Sequence, residues 1–237
     1  MRSALCALND QENAGVIIAC KIMQSELEAI RKGQSNIDIR YIDQGLHSRP
    51  QKLAPLIQEQ IDLVEGFASM VVLGYGLCSN GPAGVTARRQ GLIVPRSHDC
   101  ISFSLGSPDA YLKAFRERPG TYYLTAGWIE HKVDPLGIMD LKYSPRLGHE
   151  TALWAMKEEL RNYTHIALIV TGLTEPEPLR ERAMENCRVF EKEYEEIDGS
   201  PDYLKRLLRG PYSDEYFIFI EPGKEITQEM FLSAMNL

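Results

Sequence analysis

Apolar residues along the chain fall into two alternating patterns. Short unbroken runs at Gly15-Val-Ile-Ile-Ala-Cys20, Met70-Val-Val-Leu73, Leu92-Ile-Val94 and His165-Ile-Ala-Leu-Ile-Val170 read as buried strands. Between the early runs, apolar positions recur at helical spacing. Met23, Leu27 and Ile30 share a face over residues 23–32, and Leu53, Leu56, Ile57, Ile61 and Val64 share one over residues 53–67. Pro55 suits that second helix if it lies in the first turn. Gly33 stops the first helix, and residues 37–42 alternate as a further strand. The order through residue 73 is β-α-β-α-β, the signature of a parallel sheet covered by helices.

The rest of the chain continues the alternation. Residues 82–90 and 108–118 read as helices, with Pro119-Gly120 closing the second. A strand at 121–125 opens a new set. Residues 132–148, punctuated by Pro135, Gly137, Pro145 and Gly148, read as a long excursion across a cleft. Helices then follow at 149–161, 176–191, 201–209 and 227–235, with strands at 165–170, 193–197 and 216–220. The expected fold is α/β: two Rossmann-like lobes with mostly parallel sheets flanked by helices, residues 1–118 and 119–237, and a cleft between them. No residue-level repeat relates the halves.

Candidate chemistry collects where strands end. The first run ends in Cys20, and the 37–42 strand leads into a loop holding His47. The third run leads into Gly74-Tyr-Gly-Leu-Cys-Ser-Asn-Gly81, which holds Cys78. The fourth leads into Pro95-Arg-Ser-His-Asp-Cys100. Ligands of open α/β sheets bind just outside the carboxyl ends of parallel strands, so these side chains are expected to converge on one edge. Cys20, Cys78 and Cys100 with His47 or His98 would make a sulfur-rich site suited to zinc, iron or an iron–sulfur cluster. The spacing itself is no known metal signature, and buried cysteines often only fill space. A second use of the same residues is nucleophilic: Cys100 or Cys78 attacking, His98 as base and Asp99 orienting it. The glycine loop is a candidate cradle for an anion through Gly76, Ser79 and Gly81, although it lacks a P-loop lysine, and Arg96 is the stronger anion-binding candidate. Trp128 beside Gly127 is a candidate pocket wall, whereas Tyr75, Tyr122 and Tyr123 are expected in the core.

Composition narrows the function classes. The net charge of −7 argues against a nucleic-acid groove. No apolar run approaches the roughly 20 residues of a membrane span, and the N-terminus carries no signal-peptide pattern, so a cytoplasmic protein is expected. There are five cysteines in a chain large enough to build a core without staples, so thiols or metal ligands are expected rather than structural disulfides.

The series Ala19-Cys20, His47-Ser-Arg-Pro50, Gly74 to Gly81, Pro95 to Cys100 with Gly106-Ser107, and Pro119-Gly-Thr-Tyr122 with Gly127-Trp128 resembles a bacterial and archaeal family, domain of unknown function 1638. The resemblance runs roughly from Gly15 to the last strand. Its motif positions here are Cys20, His47, Cys78, Arg96, His98, Asp99 and Cys100, and Cys6 and Cys187 fall outside them. Members of the family are often encoded beside corrinoid-dependent methyltransferase systems, which implies a role in anaerobic one-carbon metabolism. The chain has no Asp-x-His-x-x-Gly motif, so a corrinoid carrier of that type is not expected. The resulting expectation is a metal- or iron–sulfur-binding protein that acts in, or as an accessory to, methyl transfer. Its partner would be a small-molecule substrate or a methyltransferase or corrinoid protein. The alternatives are a metal-free cysteine enzyme and a non-catalytic methyltransferase partner.

Overall fold

A computed structural model of the protein describes residues 15–32, 37–45 and 50–234. The first strand, β1 (Gly15–Cys20), is buried along its whole length, as its unbroken apolar run requires of a central parallel strand. Helix α1 (Gln24–Arg31) follows through one tight turn. Strand β2 (Ile37–Ile42) buries Ile37, Ile39 and Ile42 and exposes Asp38, the alternation of a strand at the sheet edge. Helix α2 (Leu53–Val64) buries Leu53, Ile57, Ile61 and Val64, with Pro55 in its first turn. Strands β3 (Met70–Gly74) and β4 (Leu92–Pro95) complete the parallel set. The sheet order is β2-β1-β3-β4, followed by a fifth strand, β8 (Phe217–Ile220), which runs antiparallel to β4.

After β4 come α3 (Ile101–Leu105) and α4 (Pro108–Glu117). The second sheet holds β5 (Thr121–Leu124), β6 (His165–Val170) and β7 (Glu193–Asp198), all parallel and in that order. Around it lie α5 (Ala126–Glu130), α6 (Pro135–Ile138), α7 (Ser144–Leu147), α8 (His149–Glu159) and α9 (Pro176–Phe190). Helix α10 (Asp202–Arg209) and helix α11 (Gln228–Ala234) bracket β8 in the chain. The fold is α/β, with a five-stranded and a three-stranded sheet, both mostly parallel and flanked by helices. No helix among the described residues is long and apolar enough to cross a membrane.

Three expectations give way to the structure. Residues 82–90 form no helix, because their backbone groups are used elsewhere. Gly84 and Ala87 donate to the carbonyls of Ile226 and Lys224, and Ile226 donates back to Val85. The excursion at 132–148 is helical: α6, a single π turn over Met139–Tyr143, then α7. Pro135 and Pro145 each sit at the start of a helix, where the missing N–H is no loss. Asp134, fully buried, caps α6 and also accepts hydrogen bonds from Arg182 and Asn186 of α9. Finally, β8 joins the first sheet rather than the sheet of its own half of the chain. Tyr203, Leu204, Leu207, Leu208, Tyr212, Phe217, Ile226 and Phe231 all pack into the first core.

The two sheets are held closely together. A side chain at Gly127, on α5, would overlap the carbonyl of Ile22 just after β1. The Ser200 N–H donates to the Ser104 carbonyl at 3.0 Å, and the Thr171 hydroxyl at the end of β6 donates to Glu26 of α1 at 2.7 Å.

Candidate functional site

Helix connections leave β1 toward β2 on one side and β3 toward β4 on the other. The crevice between the carboxyl ends of β1 and β3 is therefore the topological switch point of the sheet. Cys20 is the last residue of β1, and Gly74 at the end of β3 pairs with Ala19. The loops after β3 and β4 are zipped together: Leu77 and Cys78 donate to the carbonyls of Ser97 and His98, both at 2.9 Å. Gly76 permits this, because a Cβ there would lie 2.5 Å from the Ser97 carbonyl oxygen. Cys78, Ser79 and Asn80 then take left-handed backbone angles in succession, with φ of 44°, 56° and 66°. Each such residue is strained by about 1–2 kcal/mol relative to the right-handed form, less for asparagine. Hydrogen bonds from the Gly81 N–H to Leu77 and Cys78, and Leu53 packed against Gly81, hold the turn in place.

The turn faces a cavity of about 520 Å³ between the two sheets, a volume typical of small-molecule sites. Cys78, Ser79, His98, Asp99 and Cys100 form its first-sheet wall, and Gln44 and Gly45 add a rim after β2. The three strand-end cysteines lie within electrostatic reach of one another. Burial pushes all three thiols up, Cys20 to about 11. The Tyr75 hydroxyl and the Ile22 N–H donate to the Cys20 sulfur, and the Trp128 indole N–H donates to Cys100 Sγ at 3.3 Å.

His98 Nδ1 lies 3.2 Å from Asp99 Oδ2. That carboxylate also accepts from the Tyr111 hydroxyl at 3.1 Å and, through Oδ1, from the Ile101 N–H at 3.0 Å. The His98 ring stacks on Tyr111 with centroids 5.9 Å apart. The hydrogen bond to Asp99 raises the His98 pKa, and partial burial works against it.

Five of the sequence candidates thus meet at one cavity wall, with Cys20 as their neighbour. Arg96 is turned elsewhere: its Nε donates to the Phe217 carbonyl at 3.3 Å, and its backbone N–H donates to Tyr216, tying β4 to β8. Gly76 and Gly81 serve close packing, and of the glycine-loop candidates Ser79 faces the cavity. His47 lies outside the described residues, as does Cys6. Among the described residues no three His, Cys, Asp or Glu side chains close into a ligand group. The donor set nonetheless fits soft-metal chemistry in kind, with thiols from three positions.

Sequence reasoning missed Tyr111 and Phe115 on α4 and Arg118 just past its end, which line the same cavity. The signal was the four-residue spacing of Tyr111 and Phe115, which puts them on one helical face. That face looks into the cavity rather than the core, and no residue of α4 is fully buried.

Residues 41–208 match the model of a family described as a protein of unknown function, DUF1638. The match takes in Cys78, Arg96, His98, Asp99 and Cys100 and begins after Cys20. No curated protein matches the chain. The match covers more than half of the sequence and carries the cavity wall built after β3 and β4, and the chain belongs to the DUF1638 family.

Proposed function

We propose that the chain holds a thiolate-bound metal, zinc or iron or an iron–sulfur cluster, at the crevice between β1 and β3. In this reading a small molecule in the adjoining cavity is processed there, in or as an accessory to methyl or one-carbon transfer, in the reducing cytoplasm. The observation that supports it is the delivery of Cys20, Cys78 and Cys100 to one place by separate strand ends, beside a cavity. His47 or His98 supplies the nitrogen ligand. A bound cation contributes the positive charge that lets buried thiols ionise, so metal binding releases protons.

The protein's own groups have separable tasks. Trp128 and Tyr75 direct N–H and O–H groups at the sulfurs of Cys100 and Cys20, which fixes their orientation and tempers the charge on them. Asp99 holds His98 at the cavity wall, where the ring can give or take a proton at a bound molecule. The left-handed turn keeps Cys78 aimed at the crevice.

The test is anaerobic purification followed by metal analysis and a visible spectrum, on the wild type and on the Cys20/Cys78/Cys100→Ser variant. About one zinc per chain, lost in the variant, supports a mononuclear site. Stoichiometric iron with broad visible absorption supports a cluster. Protein without metal in both forms overturns the reading. The hydrogen bond from Trp128 to Cys100, at the cavity surface, favours one second reading: a metal-free enzyme with Cys100 as nucleophile and His98 as base. Cys78→Ser separates the two, releasing metal under the first and leaving alkylation of Cys100 intact under the second.

A further inference from the structure

We propose that the cavity binds an elongated organic anion, its apolar, unsaturated body lying between two aromatic rows and its carboxylate or phosphate seated at Arg118 and the Tyr123 hydroxyl. The inference rests on reading this cavity as the functional site, and it is independent of whether a metal is bound.

The first row runs along α4. The His98 ring stacks on Tyr111, and Tyr111 stacks on Phe115 with centroids 6.4 Å apart. Arg118 is the first residue past the end of α4, so the helical part of the row, Tyr111 to Phe115, extends about 6 Å at 1.5 Å per residue and Arg118 lies just beyond it. The second row begins at Cys100 with Trp128. Tyr122 meets Trp128 edge-on at 5.9 Å, and Tyr163 meets Tyr122 edge-on at 5.2 Å. Both rows therefore start at the thiol and imidazole end and lead away from it. Phe115 lines the cavity and is 62% exposed, so beyond its stack with Tyr111 much of its apolar ring is left uncovered by the described residues. A flat hydrocarbon body would cover it and meet ring faces and edges along its length.

The far end is built for negative charge. The Tyr123 hydroxyl is out of reach of water and has no hydrogen-bond partner among the described residues. Buried hydroxyls are nearly always paired, so this one marks a place for a ligand atom. Arg118 is its electrostatic neighbour. Arg118 also pairs with Glu195 of β7, leaving part of its planar fork for a second acceptor. Lys142 adds another cation to the lining and makes no ion pair among the described residues. Among the described residues of the wall the one carboxylate, Asp99, is already satisfied by His98, Tyr111 and Ile101. The charge left uncommitted among the described lining residues is positive.

The probes are 2-naphthoate, 2-naphthyl phosphate and the neutral 2-naphthylmethanol, titrated into the full chain by calorimetry. A parallel titration follows quenching of Trp128 fluorescence in a Trp154→Phe background, since Trp154 is the other of two tryptophans and is solvent-exposed. At least one of the two anions is expected to bind one per chain, with the alcohol about tenfold weaker. The tighter anion names the headgroup. Arg118→Gln and Tyr123→Phe should each weaken the anion by about tenfold, and Glu195→Gln, which frees Arg118, should bind it at least as tightly. Circular dichroism of each variant checks the fold. Equal binding of anion and alcohol, unchanged binding by Arg118→Gln, or no saturable binding overturns the proposal. The Cys20/Cys78/Cys100→Ser variant should still bind the anion, so failure of the metal reading and failure of this one give different results.

Discussion

Glu26 sits on α1 where the two sheets meet, 2% exposed, with the Thr171 hydroxyl as its hydrogen-bond donor. Burial raises its pKa, Thr171 works against the rise, and nearby Glu130 adds to it. The sign of the consequence follows from linkage. A carboxyl whose pKa is higher in the folded state binds its proton more tightly there. Its contribution to stability is fully present below the ordinary carboxylate range and is lost as pH rises through the folded value. Glu26→Gln removes that loss. The variant should melt with the wild type in mild acid and above it at pH 8, the gap widening with pH in a series of thermal denaturation curves. A gap that stays constant with pH would show that Glu26 ionises freely in the fold. At this same scale the sequence disclosed Cys20, Cys78, His98, Asp99 and Cys100, because each stands where an apolar run breaks. It could not disclose that the Arg96 side chain turns to Phe217, since that depends on which strand lies beside β4. Tyr111 was hidden for the same reason: its link to Asp99 crosses from a helix to a loop.

Among the elements, the left-handed turn at Cys78–Asn80 is the most costly piece of local structure. Glycine adopts such angles without a clash but loses more chain entropy on folding. Ser79 is exposed, so replacing it forfeits no packing. Ser79→Gly should therefore stabilise the protein by about 0.5–1 kcal/mol, the relief of strain less glycine's own entropy. Asn80→Gly should gain less, because asparagine tolerates the left-handed region. Chemical denaturation midpoints measure both, and a destabilised Ser79→Gly would mean that the turn is not strained. Elements were otherwise the most legible level of the sequence. The first three strands and both intervening helices could be read because periodicity and chain breakers agree there. The stretch at 82–90 was misread as a helix although Ala83, Val85 and Ala87 alternate, because its N–H groups pair with residues 224–226, which the local sequence does not name. Prolines at 135 and 145 looked like loop punctuation, yet each starts a helix.

In the whole molecule the segment from α10 onward matters more than its position suggests. Phe217, Ile220, Ile226 and Phe231 are nearly fully buried in the first core, and Tyr212 with them. Loss of one buried aromatic side chain typically removes about 3–5 kcal/mol, against a total stability of about 5–15 kcal/mol for a domain. A chain ending after Gly210 should lack a cooperative thermal transition and should be digested rapidly by protease while the full chain resists. A truncated chain that melts cooperatively would show that the four-stranded sheet suffices. The alternation of elements gave the fold class from sequence, but not this closure, because a strand's own residues do not name the sheet it joins.

The return of β8 to β4 also sets an order of events during synthesis. The three-stranded sheet is made from one continuous stretch, so it can form as soon as that stretch leaves the ribosome. The five-stranded sheet cannot. Its first four strands emerge early and wait, with the edge of β4 unpaired, until β8 emerges. The nascent protein is thus most prone to pair wrongly with a neighbour just before β8 emerges, when the three-stranded sheet is already folded and the five-stranded one is not. Slow decoding between β7 and β8 would prolong that exposure, and a chaperone that shields the bare edge of β4 would limit it.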